Sequence, residues 1–187
     1  MCIRDSNKHC QNIKNANILN KKMDAKPRRQ LAAVMFADIV GYTTLMQSNE
    51  DEALFSLQKF KTNLHHLVPN HSGEIINFYG DGCLAIFQSS VEATICAEKL
   101  QQAFLNDPQV PVRMGLHAGD VVFRDDNVFG NAVNIASRLE SISIPGAVLL
   151  SSNVRNQIKN IPGINFCLLY TSPSPRDATL SRMPSSA

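Results

Sequence analysis

The sequence predicts an α+β fold, a ferredoxin-like antiparallel sheet of βαββαβ order with helices on one face. Two observations carry that expectation. Short apolar runs of strand length alternate with longer segments whose apolar residues recur at helical spacing, and Gly80-Asp81-Gly82 joins two of the strand-like runs as a hairpin. The size agrees: 187 residues, 44% hydrophobic and 18% charged, have the composition of one globular domain.

The elements follow in order. Leu31 to Phe36 is an apolar run suited to a buried strand. Asp51 to Val68 places Leu54, Leu57, Phe60, Leu64 and Leu67 at helical spacing, behind an acidic first turn of Glu50, Asp51 and Glu52 that complements the helix dipole. Glu74 to Tyr79 and Cys83 to Phe87 read as the hairpin strands. Val91 to Phe104 is helical, with Ala93, Ala97, Leu100 and Phe104 on one side. Val112 to His117 and Asp120 to Phe123 read as two strands broken around Gly119. A helix over Asn131 to Glu140 and a strand over Ala147 to Leu150 follow, and Ser151 or Ser152 can cap a last helix reaching Lys159.

Three segments are expected. Residues 1–29 form a flexible or non-native leader, residues 30–166 the folded domain, and residues 167–187 a tail with no pattern able to bury a face. Met1 to Ser6 and the Ser/Pro-rich end resemble translated sequencing-adaptor sequence, the alternative being natural disordered termini. Residues 1–30 carry 8 Lys/Arg against 2 Asp/Glu, whereas residues 31–166 carry 8 against 13, so the domain is mildly acidic. That balance argues against nucleic acid as a partner. No apolar run approaches the roughly 20 residues of a membrane helix, so no membrane span is expected. Five scattered cysteines without a CxxC pair point to reduced thiols and a cytoplasmic setting rather than a disulfide frame or zinc site.

Asp38 ends the first strand and Asp81 occupies the hairpin tip, two elements that lie side by side in this plan. Converging carboxylates suit Mg²⁺, which binds through one or two carboxylates plus substrate phosphates. Taken singly, Asp81 is better read as a turn former and Asp38 as a strand-end solubiliser. Asn134 and Arg138 lie four residues apart, on one helix face, where an amide and a guanidinium can donate to ribose and phosphate oxygens. Val133 and Ile135 flank Asn134, which suggests that a partner surface covers this helix. His117 reads as a packed strand residue rather than a base, and His65 and His66 as solvated-face residues.

Four motifs, in order, resemble the catalytic domain of class III nucleotide cyclases. They are Phe36-Ala37-Asp38-Ile39-Val40-Gly41-Tyr42-Thr43, Tyr79-Gly80-Asp81-Gly82, Arg113-Met114-Gly115-Leu116-His117-Ala118-Gly119, and the stretch from Phe129 to Glu140. The resemblance spans about Gln30 to Phe166. It implies conversion of a nucleoside triphosphate into a cyclic nucleotide with two metals, Mg²⁺ or Mn²⁺, held by Asp38, Asp81 and the Ile39 carbonyl. It puts Asn134 on the ribose, Arg138 on the charge developing at the α-phosphate, and Arg113 on the triphosphate. It also implies a head-to-tail homodimer, each site drawing its metal half from one protomer and its Asn/Arg half from the other. Cyclase-type additions to the ferredoxin-like core belong to this expectation.

The departures from the family pattern concern the base and the end of the domain. Asn77 stands where a Lys is usual in adenylate cyclases, and Asn127 where an Asp or Thr is usual. Both amides donate and accept, so hydrogen bonding excludes neither base; the resemblance to adenylate cyclases makes ATP the expected substrate, with GTP as the alternative. The family's last strands should follow Phe166, and the tail does not resemble them, so the domain is expected to be truncated there. A catalytically silent dimerisation module of the same fold is the competing reading. An RNA-binding sheet needs more exposed aromatics than Phe36, Phe78 and Tyr79, and a diguanylate cyclase needs a GGDEF-like turn that is missing.

Overall fold

The first strand, β1 (Arg28–Ile39), is apolar on both faces, and this puts it in the middle of the sheet. Ala33, Met35, Ala37 and Ile39 point into one core, while Ala32 and Val34, with Phe36 packed at its edge, point into another. The computed structural model describes residues 28–124, 127–162 and 164. The expectations for the tail, the missing last strands and nearly all of the leader lie outside the described residues. Arg28 and Arg29, included in the expected leader, are strand residues paired with Phe123 and Val122.

After β1 come α1 (Tyr42–Ser48), α2 (Glu50–Asn70), β2 (Gly73–Tyr79), β3 (Gly82–Phe87) and α3 (Ser90–Leu105). The chain continues through β4 (Val112–Arg124), β5 (Asn127–Phe129), α4 (Asn131–Ile142), β6 (Val148–Leu150) and α5 (Ser152–Ile158). The sheet order is β2-β3-β1-β4-β5, with β6 running parallel to β4 and every other pairing antiparallel. The β2-β3-β1-β4 part, with α2 and α3 packed on one face, is the expected ferredoxin-like plan.

Local chemistry explains the boundaries. Asn49 caps α2: its Oδ1 accepts from the Glu52 amide at 3.3 Å and its Nδ2 donates to Glu52 Oε2 at 3.0 Å. The buried stripe of α2 is Ala53, Ser56, Phe60, Leu64 and Val68. This corrects the expected stripe at its start, because Leu54 lies about 120° round the helix from Phe60 and is 49% exposed. Ser89 caps α3, whose Phe104 ring stacks on Phe60 at 5.7 Å, closing the core between the two helices. Ser151 is the cap of α5.

Two further points differ from expectation. Gly119 does not break a strand: β4 runs unbroken, with Gly119 paired to Ala32 of β1. The missing side chain serves packing, since a Cβ there would lie 3.0 Å from Cβ of Ala132 on α4. The other difference is α4 itself, an addition to the ferredoxin-like core that covers the opposite face of the sheet through Ala132 and Ala136. Val133 packs there too, partly buried against the same core.

Candidate active site

Asp38 is the last but one residue of β1, between Ala37 and Ile39, which anchor the strand in the α2/α3 core. Alternation therefore turns Asp38 to the α4 face. Its cross-strand neighbours are Gly82 on β3 and Arg113 on β4. Asp81 sits in the two-residue turn between Tyr79 and Gly82, with Gly80 in the left-handed conformation at φ 66°. The Ile39 amide donates to the Asp81 carbonyl at 3.3 Å, which ties the strand end to the turn. Asp38, Ile39 and Asp81 are thus brought together as the sequence suggested.

The electrostatics fit a divalent cation. Burial pushes the Asp38 carboxyl above its ordinary range; hydrogen bonding to Arg113 pulls it down, and the Asp81 charge pushes it up again. Asp38 already carries one cation, Arg113. Its Nη2 and Nε donate to Asp38 Oδ2 at 2.8 and 3.2 Å. Among the described residues no group of three or more His, Cys, Asp or Glu side chains is placed to hold a metal. Two carboxylates and a backbone carbonyl are an all-oxygen donor set, the kind that suits Mg²⁺ shared with substrate phosphates.

The same guanidinium reaches α4. Arg113 Nη1 donates to the Ser141 carbonyl at 3.3 Å, and Nε lies 2.6 Å from Glu140 Oε1. Glu140 is buried, and its carboxyl is raised chiefly by desolvation. Sequence reasoning gave Glu140 no role. The signal was present: Ala132, Ala136 and Glu140 share one stripe of α4, and a carboxylate on a buried stripe requires a partner.

The remaining candidates lie elsewhere in the chain. Asn134 and Arg138 are exposed and sit about 200° round α4 from Ala132 and Ala136, away from the sheet. Among the described residues Arg138 makes no ion pair or hydrogen bond, and nothing there joins it to Asp38 or Asp81. Asn77 lies on the edge strand β2, where a bulge between Ile75 and Asn77 shifts the register. The shift sets Asn77 opposite Leu84, which faces α4, so Asn77 shares the face of Asp38. Asn127 opens β5 and is exposed. His117 is buried, as expected of a packed strand residue, with its neutral form favoured by desolvation. His65 and His66 are exposed, His65 lying against the Phe78 ring.

Comparison with known proteins identifies the family and the fold. The adenylate and guanylate cyclase catalytic domain model matches residues 24–168. A relative from Rhizobium meliloti is 35% identical over 147 residues, which cover 74% of this chain and 25% of the relative. A Streptomyces coelicolor protein named adenylate cyclase is 37% identical over 122 residues, 64% of this chain and 32% of its own length. The crystal structure of an adenylate/guanylate cyclase/hydrolase from Silicibacter pomeroyi superposes with a TM-score of 0.63 at 34% identity, covering 72% of this chain and 83% of that one. The chain spans a quarter to a third of the length of these curated relatives. With a family match over residues 24–168, a 35% identical relative and a solved cyclase structure of the same fold, the chain belongs to the adenylate and guanylate cyclase catalytic domain family.

Proposed function

We propose that this chain is a catalytic domain that converts ATP into cyclic AMP and pyrophosphate, acting as a homodimer with two Mg²⁺ or Mn²⁺ ions per site. The observation that carries this reading is the convergence of Asp38 and Asp81 through the Ile39–Asp81 hydrogen bond. Asp38, Asp81 and the Ile39 carbonyl would hold the ions, and those ions, when bound, supply activation of the 3′-hydroxyl and neutralisation of phosphate charge. The 3′-oxygen then attacks the α-phosphorus in line, the bond to the pyrophosphate oxygen breaks, and the hydroxyl proton passes to solvent.

The chain's own residues position and stabilise. Asn134 orients the ribose, Arg138 donates to the oxygens of the α-phosphate as charge builds, and Arg113 reaches the triphosphate. Asn77 and Asn127 contact the base. Asn134 and Arg138 point away from the aspartates of their own chain, which supports a site shared between two copies. The relatives named adenylate cyclase put ATP ahead of GTP. The buried, unpaired thiols Cys83 and Cys96 support a reducing, cytoplasmic setting.

Product formation from ATP and from GTP with Mn²⁺, in the parent and in Asp38→Ala and Asp81→Ala, tests the reading. Cyclic AMP from the parent and none from either folded variant is expected. A parent that makes no cyclic nucleotide from either triphosphate would favour the silent dimerisation module.

A further inference from the structure

We propose that Glu140 is a positioning residue that gives Arg113 a second dock, so that Arg113 serves as the cation on Asp38 until a divalent ion takes that carboxylate and Arg113 shifts to Glu140. This rests on the metal-binding reading of Asp38 above.

Arg113 holds Asp38 Oδ2 through two donors, Nη2 at 2.8 Å and Nε at 3.2 Å, and the Nε hydrogen has a second acceptor within reach. Arg113 Nε has a single hydrogen, and it is directed at Asp38 Oδ2, 3.2 Å away. Glu140 Oε1 stands nearer, at 2.6 Å, a buried oxygen already ion-paired with the guanidinium but not aligned with the Nε hydrogen. A buried carboxylate oxygen beside a guanidinium that bonds elsewhere is an arrangement with a second state close by, in which the Nε hydrogen turns from Asp38 to Glu140. The pivot is already fixed, since Nη1 donates to the Ser141 carbonyl at the end of α4. Glu140 cannot retreat either: its backbone lies against Gly115, where not even a Cβ would fit.

With a divalent ion held at Asp38, the Arg113 guanidinium would be repelled and would lose its acceptor there. Glu140 keeps the displaced cation compensated. Arg113 then remains at the site, oriented from α4, free of Asp38 and able to address substrate phosphates. Neither the half-buried Asp38 nor the buried Glu140 is left without a positive partner in either state, the condition under which buried charges are tolerated.

Mn²⁺ binding to the nucleotide-free full chain, read by electron paramagnetic resonance at mildly alkaline pH, tests this independently of turnover. Arg113→Gln removes the competitor and should tighten Mn²⁺ binding roughly tenfold, the scale of one charged hydrogen bond. Glu140→Gln keeps the shape and removes the second dock, and should weaken Mn²⁺ binding by a similar factor. In the double variant the Glu140→Gln effect should vanish, because there is no guanidinium left to dock. Unchanged or weaker binding in Arg113→Gln would overturn the proposal, as would a Glu140→Gln effect that persists without Arg113. If Glu140→Gln does not fold, the Arg113→Gln result alone decides. Asp38→Ala separates the two levels: unaltered Mn²⁺ binding there overturns the metal assignment itself, whereas a loss there with no gain in Arg113→Gln overturns only the second dock.

Discussion

Gly115 on β4 lies directly beneath Glu140 on α4. A Cβ built on Gly115 would overlap the Glu140 amide nitrogen and stand 2.5 Å from the Ala136 carbonyl oxygen, so helix backbone rests on strand backbone. This contact fixes the height of α4 above the sheet, and with it the reach from Glu140 to Arg113.

Gly115→Ala should therefore act at two levels. Strand conformation tolerates alanine, so the cost comes from overpacking, on the order of 1–3 kcal/mol. Urea denaturation should show that loss with the m-value retained. Lifting α4 also separates Glu140 from Arg113, so activity should fall further than the stability loss alone accounts for. A variant as stable as the parent would mean that α4 is free to slide, and the contact would not set its height.

The shared-site reading makes a prediction that one chain cannot satisfy alone. Asp81→Ala removes the metal half and Arg138→Ala the other half, and each homodimer should be inactive. Mixed heterodimers carry one site with both halves intact, so mixing should restore activity, up to about one quarter of the parent's on random association. Heterodimers confirmed by mass that remain inactive would point to sites built within single chains. Arg138 is exposed and unpaired among the described residues, so its truncation should leave the melting temperature near that of the parent.

Much of this was legible in the sequence, for reasons of range. The β1 run, the Gly80-Asp81 turn and the Phe60/Leu64 and Leu100/Phe104 stripes are local signals, and local signals place Asp38 beside Asp81. What escaped depends on distant partners. Gly119 reads as a break until Ala132 is known to sit over it. Leu54 reads as core until its azimuth on α2 is compared with that of Phe60. Asn77 reaches the face of Asp38 because of a bulge that apolar alternation does not reveal. Glu140 is the clearest case: its stripe is visible at residues 132, 136 and 140, but its partner Arg113 lies on another element. The short α1 and β5 have too few residues for a periodic signal.

His117 gives the pH prediction. Burial lowers its pKa below the ordinary 6.5, so the unfolded chain binds a proton that the folded chain resists. The sign follows: stability is full above 6.5 and is lost as pH falls through 6.5 toward the folded value. Asp38 and Glu140, both raised, work in the opposite sense at lower pH. Comparing parent with His117→Gln isolates the histidine contribution. The parent should lose stability relative to the variant between about pH 7 and pH 5.5, read as the urea midpoint. Parallel profiles would mean that His117 protonates as readily in the folded chain as in the unfolded one.

In the proposed function the base preference turns on Asn77. The bulge in β2 places this side chain on the same sheet face as Asp38, and it is exposed, so a longer side chain fits there without repacking. A Lys at this point can donate to adenine N1 but never accept, whereas an amide can rotate to present either group. Asn77 and Asn127 together should therefore discriminate loosely between ATP and GTP. One well-placed hydrogen bond is worth about 0.5–1.5 kcal/mol, or roughly tenfold in specificity. Asn77→Lys should raise the ratio of kcat/KM for ATP over GTP by about that factor, chiefly by weakening GTP. Single-substrate kinetics on parent and variant give the ratio directly. If the ratio stays where it was while ATP turnover persists, Asn77 does not reach the base. If the parent prefers GTP strongly, the adenylate assignment falls and the cyclisation chemistry at Asp38 and Asp81 remains.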